Sequence, residues 1–177
     1  MKARIAVLIG ALVATASIAV GATAAPSEQS AQNATIVGVA AGDKRFSTLV
    51  ALVKQAGLVK TLNGKGAFTV FAPTNAAFAA LKKNAPETYD AVATDKALLT
   101  KVLTYHVLAK RVSSTAAVAA AKKQASVKTV QGEKIKLSLK SGKLTLNGSS
   151  RVIVADVKAS NGVIHAINAV IVPPSLS

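Results

Sequence analysis

The chain has 177 residues, of which 51% are hydrophobic and only 3% are aromatic, and it contains no cysteine. Lys and Arg number 22 and Asp and Glu number 7, which gives a formal net charge of +15. The lack of cysteine excludes a disulfide scaffold, a thiolate metal site and a cysteine nucleophile. The apolar fraction is too high for a disordered basic tail, and the length fits one domain.

The first 24 residues are predicted to be a secretory signal peptide. Lys2 and Arg4 precede an uncharged, largely apolar run that ends near Ala22-Thr23-Ala24. A short positive region, an apolar stretch and small residues at an A-x-A site are typical of such signals. We therefore expect cleavage after Ala24 and a secreted or periplasmic protein, with an uncleaved membrane anchor as the alternative. No later segment has 18 uncharged apolar residues, so we expect no transmembrane segment after cleavage.

The mature chain is predicted to begin with a flexible segment, residues 25–33, which is polar and aperiodic. A single domain over residues 34–174 follows. Apolar residues at helical spacing predict a helical region over residues 35–62, in which Gly57 ends a helix. The short apolar run Phe68–Phe71 predicts a buried strand.

Capping residues predict the start of three further helices. Thr74 begins a helix through Leu81, because its hydroxyl can accept a hydrogen bond from a free backbone N–H. Thr94-Asp95 opens the next helix, with the acid in the first turn where the helix dipole favours it. Either residue of Ser113-Ser114 caps an alanine-rich helix that ends near Lys122-Lys123.

The last third of the chain, residues 127–172, alternates between apolar and polar residues, which is typical of half-buried strands. Ser141-Gly142 predicts a two-residue hairpin turn. Val152–Val157 is predicted to be a further strand, and Asn161-Gly162 a turn into a strand over Val163–Val172. Helices followed by an antiparallel meander indicate an α+β fold.

Three segments, taken together, resemble the fasciclin domain family. They read FTVFAPTNAAF (Phe68–Phe78), YHVL (Tyr105–Leu108) and NGVIHAINAVIVP (Asn161–Pro173). In this order they are similar to the first signature of the family, its central Tyr-His motif and its closing signature. The match in order and spacing extends over residues 33–174.

This resemblance implies a wedge or sandwich of two β-sheets with helices packed along one side. It also implies a secreted protein that acts in adhesion, similar to the small single-domain bacterial members. Two positions depart from the family pattern: Asn168 stands where Asp is common, and Ala109-Lys110 replaces a common Pro-Gly. The residues that match the structural motif of the family are Phe71, Pro73, Thr74, Asn75, Tyr105, His106, Asn161, Gly162 and His165.

Catalytic chemistry is not expected. His106 and His165 are the two histidines, and the seven acidic residues are scattered along the chain. Metal binding or acid–base catalysis would need imidazoles that converge with carboxylates. The alternative, which we favour, is that each imidazole satisfies buried backbone groups. No nucleophile, zinc or phosphate-loop motif occurs, so we expect no catalytic residue, no metal and no cofactor.

The excess of positive charge is not explained by the needs of folding alone. Across a hairpin closed by Ser141-Gly142, Lys140 would face Lys143 while the leucines share the buried face, and like charges in opposition are destabilising. Lysines can also protect a strand edge from aggregation, but this role explains one or two lysines better than four lysines on one face. The four lysines that are predicted to share the exposed face are Lys134, Lys136, Lys140 and Lys143.

This face is predicted to bind anionic cell-surface or matrix polymers, or surface proteins. Candidates are acidic polysaccharides, teichoic acid or lipopolysaccharide, acidic lipid headgroups and extracellular DNA, all attracted by charge and counterion release. Specific nucleic-acid recognition is not expected, because few aromatic residues are present to stack on bases.

A second hypothesis is carriage of an apolar small molecule such as a carotenoid or a lipid. Some secreted proteins with this domain bind carotenoids. An apolar cleft between the closing strands, at Ile164, Ile167 and Val170, and the first helices could accept a long ligand. The same residues are also expected in an ordinary core.

Overall fold

A computed structural model describes residues 34–176 of the chain, so the predicted signal peptide and flexible segment lie outside the described residues. The helices are α1 (Ile36–Gly42), α2 (Ser47–Ala56), α3 (Val59–Leu62), α4 (Asn75–Asn84), α5 (Pro86–Thr94), α6 (Lys96–Tyr105) and α7 (Ser114–Lys122), with 3₁₀ turns at Lys44–Phe46 and Pro174–Leu176. The strands are β1 (Phe68–Pro73), β2 (Val107–Leu108), β3 (Ser126–Lys128), β4 (Lys134–Lys140), β5 (Lys143–Leu146), β6 (Ser150–Ala159) and β7 (Gly162–Ile167).

Polar side chains fix where the helices begin. Thr74 caps α4 as predicted, and Ser113, the first of the two candidate serines, caps α7. Asp95 is the N-cap of α6 and accepts hydrogen bonds from two backbone N–H groups, so its carboxylate does not lie in the first turn as expected. Each cap satisfies N–H groups that the helix itself leaves unpaired.

The helical region over residues 35–62 is interrupted where Asp43 caps a 3₁₀ turn after α1. Gly57 ends α2, as predicted, at a φ of 75°. A left-handed φ of this kind favours glycine, which has no Cβ to clash. Helix α5 was not predicted, since Val92 is the one buried residue in it and its apolar stripe is correspondingly weak.

Within residues 34–176, seven strands form one sheet in the order β2-β1-β7-β6-β5-β4-β3. The strands from β3 to β7 are antiparallel neighbours, as the meander predicted, but β7 also pairs in parallel with β1 over Phe68–Pro73. This pairing joins segments that are far apart in sequence, for which hydrophobic alternation gives no signal. The two ends of the sheet approach one another, because Val130 N–H donates to Val107 O at 2.8 Å.

Two hydrophobic clusters pack on the two faces of the central strands. On one face, Val70 and Ile164 contact the helices α1, α2 and α6. On the other face, Phe71 and Ile167 pack with α7 and with the inward leucines of β4 and β5. Helices that pack against a mostly antiparallel sheet make this an α+β fold, which confirms the predicted fold class.

The turn before β7 and the end of β7 both differ from the prediction. The turn is Ser160-Asn161, and Gly162 is already the first residue of β7, opposite Ala159. A Cβ at Gly162 would lie 2.2 Å from Phe68 O, so glycine is required by the close approach of β1. The strand ends at Ile167 instead of continuing to residue 172.

Candidate functional site: a basic face on the sheet

The hairpin of β4 and β5 has the predicted register. Ser141 and Gly142 have φ values of 52° and 72°, as a two-residue turn with the right-handed twist of the strands requires. The structure pairs Lys140 with Lys143. Leucines opposite one another, Leu137 with Leu146 and Leu139 with Leu144, lie on the inner side of the sheet.

The two neighbouring strands extend the row of lysines. Lys128 on β3 lies opposite Lys134, and Arg151 on β6 lies opposite Thr145, which shares its face with Lys143. Sequence reasoning missed Lys128 and Arg151, although Val127 and Val152 beside them are apolar and alternate with them. Within the described part of the chain, the exposed basic face therefore consists of Lys128, Lys134, Lys136, Lys140, Lys143 and Arg151.

None of these six cations forms an ion pair with a carboxylate of residues 34–176. In residues 34–176 the one ion pair with an N–O distance within 4.0 Å is Arg45–Asp43, at 2.6 Å, in the helical part of the molecule. Glu133 precedes β4, but its carboxylate accepts hydrogen bonds from Ser175 Oγ at 2.5 Å and Gln131 Nε2 at 2.9 Å. These bonds, Ser175 first, hold the pKa of Glu133 below its ordinary value. The charge of the face is thus left uncompensated by the carboxylates of the described part of the chain.

The dimensions of the face suit a polymer. Lys134 and Lys140 are six residues apart on one strand, which corresponds to roughly 20 Å, and four adjacent strands cover roughly 14 Å across. Two pairs, Lys128–Lys134 and Lys140–Lys143, oppose like charges directly. Each such pair costs a fraction of about 1 kcal/mol, a cost that an anionic ligand would remove.

The Tyr-His motif, at the end of α6, links the helices to the strands that carry the basic face. The hydroxyl of Tyr105 donates to Lys134 O at 3.0 Å and accepts from Asn147 Nδ2 at 2.8 Å. The next residue, His106, is buried, and its Nδ1 lies 2.7 Å from Val102 O. Its other ring nitrogen, Nε2, accepts a hydrogen bond from the N–H of Ile171 at 3.0 Å. Nδ1 therefore carries the proton of a neutral imidazole.

Burial lowers the pKa of His106 to about 4, and the hydrogen bond to Val102 O offsets only part of that effect. A cationic imidazole would have no acceptor for its second N–H, because Nε2 faces the backbone donor of Ile171. The arrangement stabilises packing and does not supply a base at neutral pH.

Two asparagines of the family motif hold chain segments together. Asn161 accepts from Ile36 N at 2.9 Å and donates to Leu62 O at 2.6 Å, which ties α1 to the end of α3. Asn75 accepts from Thr48 N at 3.0 Å and donates to Lys44 O at 2.8 Å. Both amides satisfy backbone groups from other elements.

The remaining motif residues lie on β1 and β7. Pro73 pairs with Ile167 at the end of the parallel ladder. Phe71 is fully buried and stacks on His165 with ring centroids 5.7 Å apart. The rings of His106 and His165 share no hydrogen-bond partner, since each contacts its own pair of backbone groups. Residues 34–176 contain no group of three or more His, Cys, Asp or Glu side chains that could hold a metal.

The two positions that depart from the family pattern still make polar contacts. Asn168 accepts a hydrogen bond from Arg151 N at 2.8 Å, and its own N–H donates to Arg151 O at 3.1 Å. At the bend after β2, Lys110 O accepts from Thr69 Oγ1 at 2.6 Å. The asparagine therefore supports β6 next to the basic face.

The apolar cleft proposed for a small-molecule ligand is nearly filled. The cavity between Ile164 and the first helices measures about 30 Å³ and is lined almost entirely by apolar side chains. Pockets for drug-sized ligands measure about 300–1,000 Å³. A carotenoid or lipid would require α1 and α2 to move away from the sheet.

Comparison with known proteins places these features in a family. The sequence model of the Fasciclin domain matches residues 44–173. Protein sll1483 of Synechocystis is 49% identical over 140 residues, which cover 79% of this chain and 74% of that protein. The transforming growth factor-beta-induced protein ig-h3 of Sus scrofa is 40% identical over 141 residues, which are 80% of this chain but 20% of that longer protein.

The solved structures agree with the sequence comparison. A FAS1 domain pair from the insect cell adhesion molecule fasciclin I superposes with a TM-score of 0.70 at 18% identity, over 82% of this chain and 53% of that one. At this identity the likeness shows the fold alone. Among the described residues, no helix has both the length and the apolar character needed to cross a membrane. The matched model and the closely similar relatives show that this chain belongs to the fasciclin domain family.

Proposed function

We propose that this protein is exported and mediates adhesion to cell surfaces or extracellular matrix by binding anionic polymers on its basic face. The observation that carries the proposal is the set of six exposed cations on one sheet face, none with a carboxylate within 4.0 Å in the described residues. Membership of the fasciclin family supports a role in adhesion, since a structural neighbour is described as a cell adhesion molecule.

Protection from aggregation explains only part of the basic face. That role requires charges on an exposed sheet edge. Lys128 on the edge strand β3 fits it, and so do Lys140 and Lys143, which lie at the hairpin tip beyond the residues that pair with β3 and β6. Lys136 does not fit it, because Lys136 pairs with Ser126 of β3 on one side and its carbonyl accepts from Asn147 N at 2.9 Å on the other.

Binding through this face would be electrostatic and therefore sensitive to salt. Released counterions and long-range attraction supply the free energy. Exposed charges are screened over about 8 Å at physiological ionic strength. The partner that fits this face is an extended polymer with repeated negative charges. The proposed function is binding and involves no catalysis.

The test compares two double variants with the same change in net charge. Lys136→Glu/Lys140→Glu alters the basic face, while Lys65→Glu/Lys96→Glu alters two exposed lysines elsewhere. On a heparin column, we expect the first variant to elute at clearly lower NaCl than the second. The slope of log affinity against log salt should fall by roughly two, one for each lost contact. Equal elution of the two variants would refute the basic face as the contact.

Export is tested separately, because it concerns residues outside the described part of the chain. We propose that residues 1–24 are removed and that the protein functions in the periplasm or outside the cell. N-terminal sequencing of protein recovered from these fractions of the native host should begin at Ala25. An intact Met1 in the membrane fraction would support the uncleaved anchor instead.

A further inference from the structure

A second concave site lies beside the N-terminus of α7 and shares no residue with the basic face. It is an open cleft of about 550 Å³, within the range of about 300–1,000 Å³ that is typical of ligand pockets. No aromatic side chain lines it. Its lining includes Arg111, Ser113, Asp156, Lys158, Ser160 and Val163.

One wall of the cleft is an irregular part of β6. The register against β7 shifts between Val154 and Val157, and Asp156 within this bulge has a φ of 58°. Left-handed backbone costs a residue with a side chain about 1–2 kcal/mol, although Asp tolerates it better than most. The conformation is held by the carboxylate of Asp156, which accepts from Ser114 N at 2.8 Å and also from Ser114 Oγ.

A buried histidine ties this wall to the opposite one. The N–H of Asp156 donates to His165 Nδ1 at 3.2 Å, so the ring proton lies on Nε2. Nε2 in turn donates to Val112 O at 2.9 Å, in the loop before α7. His165 thereby fixes the distance between the bulge in β6 and the loop that carries Arg111.

The backbone on both sides of Arg111 is also fixed. The hydroxyl of Thr69, which is buried, donates to Lys110 O at 2.6 Å and accepts from Val112 N at 2.8 Å. Arg111 is therefore presented from a rigid loop, although its own side chain is exposed. Preorganisation of this kind lowers the entropy lost when a ligand binds.

The two cations of the cleft are available to a ligand. Neither Arg111 nor Lys158 has a carboxylate within 4.0 Å in the described residues. Arg111 Nη2 makes one long contact, 3.5 Å, to Ser160 O. The carboxylate of Asp156 is occupied by Ser114, but each of its oxygens can accept a further hydrogen bond.

We propose that this cleft binds an acidic sugar residue, a hexuronate within a polysaccharide. The guanidinium of Arg111 matches a planar carboxylate in a bidentate pair, and Lys158 adds a second positive charge. Asp156 and the two serine hydroxyls would exchange hydrogen bonds with the sugar hydroxyls. A carboxylate inside the cleft disfavours a dianion such as phosphate, and the lack of aromatic rings disfavours stacking ligands. The inference rests on the proposed function only in taking the partner to be an anionic polymer.

The experiment titrates the purified full chain with trigalacturonate, with maltotriose as the neutral control and inorganic phosphate as the other anion, using calorimetry. We expect trigalacturonate to bind about tenfold tighter than either control, which equals the worth of one charge-assisted hydrogen bond. The variants Arg111→Gln and Lys158→Gln should each weaken it by about tenfold for the same reason. Both side chains are exposed, and unchanged thermal melting would verify that the variants fold.

The outcomes separate this cleft from the basic face. Lys136→Glu/Lys140→Glu should keep its affinity for trigalacturonate within about twofold, since the two sites share no residue and distant charges are screened. Equal binding of phosphate or maltotriose would overturn the assignment to a hexuronate. Unchanged binding by both cleft variants, or its loss in the basic-face variant, would overturn the cleft as the site. If the wild-type chain binds trigalacturonate but is not retained on heparin, the proposed role of the basic face is refuted and the cleft is not.

Discussion

The helical side of the sheet and its basic face use polar side chains in opposite ways. On the helical side, His106 and Asn161 are buried, and each satisfies backbone groups from two other parts of the chain. On the basic face, the cations are exposed, have no carboxylate within 4.0 Å among the described residues, and in two places oppose one another directly. The first arrangement stabilises the fold, while the second leaves repulsion that an anionic ligand would relieve. Substitutions on the two sides should therefore change different measured quantities.

The largest expected effect is the dependence of stability on pH through His106. Its pKa in the folded state, about 4, lies below its ordinary value of 6.5. Between these values the unfolded chain binds the proton and the folded chain does not, so stability rises with pH. The free energy of unfolding should fall by about 3 kcal/mol from pH 7 to pH 4, at 1.36 kcal/mol for each unit of difference.

The variant His106→Gln isolates this contribution, because an amide does not titrate. It should be destabilised by about 1–3 kcal/mol at pH 7, where a buried backbone group loses a partner. Its urea midpoint should then change much less between pH 6.5 and pH 4.5 than that of the wild type. An equally steep pH dependence in the variant would assign the effect to other groups.

A slightly smaller effect is expected at Gly162, where β1 and β7 approach closely. A Cβ there would lie 2.2 Å from Phe68 O and 2.6 Å from Ile36 Cδ1. Gly162→Ala should lower the free energy of unfolding by about 2–3 kcal/mol, as overpacking of a tight core does. Gly42→Ala is the matched control, since a Cβ at Gly42 meets nothing within 4 Å. Similar urea midpoints for the two variants would contradict the role of the close approach.

The hairpin, the helix caps and Gly162 show how far the sequence predicts the fold. The hairpin, its register and the caps at Thr74 and Ser113 follow from local chemistry, and the structure confirms them. The turn before β7 was misplaced by one residue, because the need for glycine at position 162 comes from β1, which is remote in sequence. Local patterns carry no information on such long-range approaches.

The site was predicted only in part for the same reason. Alternation within one hairpin placed four lysines on one face, but Lys128 and Arg151 join it through pairing with neighbouring strands. The cleft beside α7 was not predicted at all. It depends on a bulge at Asp156, and no turn residue or periodicity marks that bulge in the sequence.

Tyr105 connects the two sides and should have an intermediate effect. Its hydroxyl bridges Lys134 O, at the start of β4, and Asn147 Nδ2, just after the end of β5. Tyr105→Phe should cost about 0.5–1.5 kcal/mol, because two part-buried polar partners lose a hydrogen bond. Hydrogen exchange should also speed up in β4 and β5 more than in α2. Uniform faster exchange would indicate a general loss of stability without a specific link between the sides.

The smallest effect should have the opposite sign. Lys140→Glu replaces a like-charged pair with Lys143 by an opposite-charged one. Cross-strand pairs of this kind contribute about 0.2–1 kcal/mol, so the variant should be slightly more stable in urea at low salt. Lys65→Glu, in an exposed loop, makes the same change in net charge and controls for general repulsion. The gain should shrink at high salt, because exposed pairs are screened.

The same variant should hold less tightly to heparin, although it is more stable. Stability and retention would then change in opposite directions at one residue, which is expected when repulsion between neighbouring cations is kept for the sake of a ligand. A chain under no such demand would gain stability from an opposite charge at Lys140 or Lys143. If Lys140→Glu gains stability without losing retention, the opposed lysines are not part of a binding surface, and the difference between the two sides has a purely structural origin.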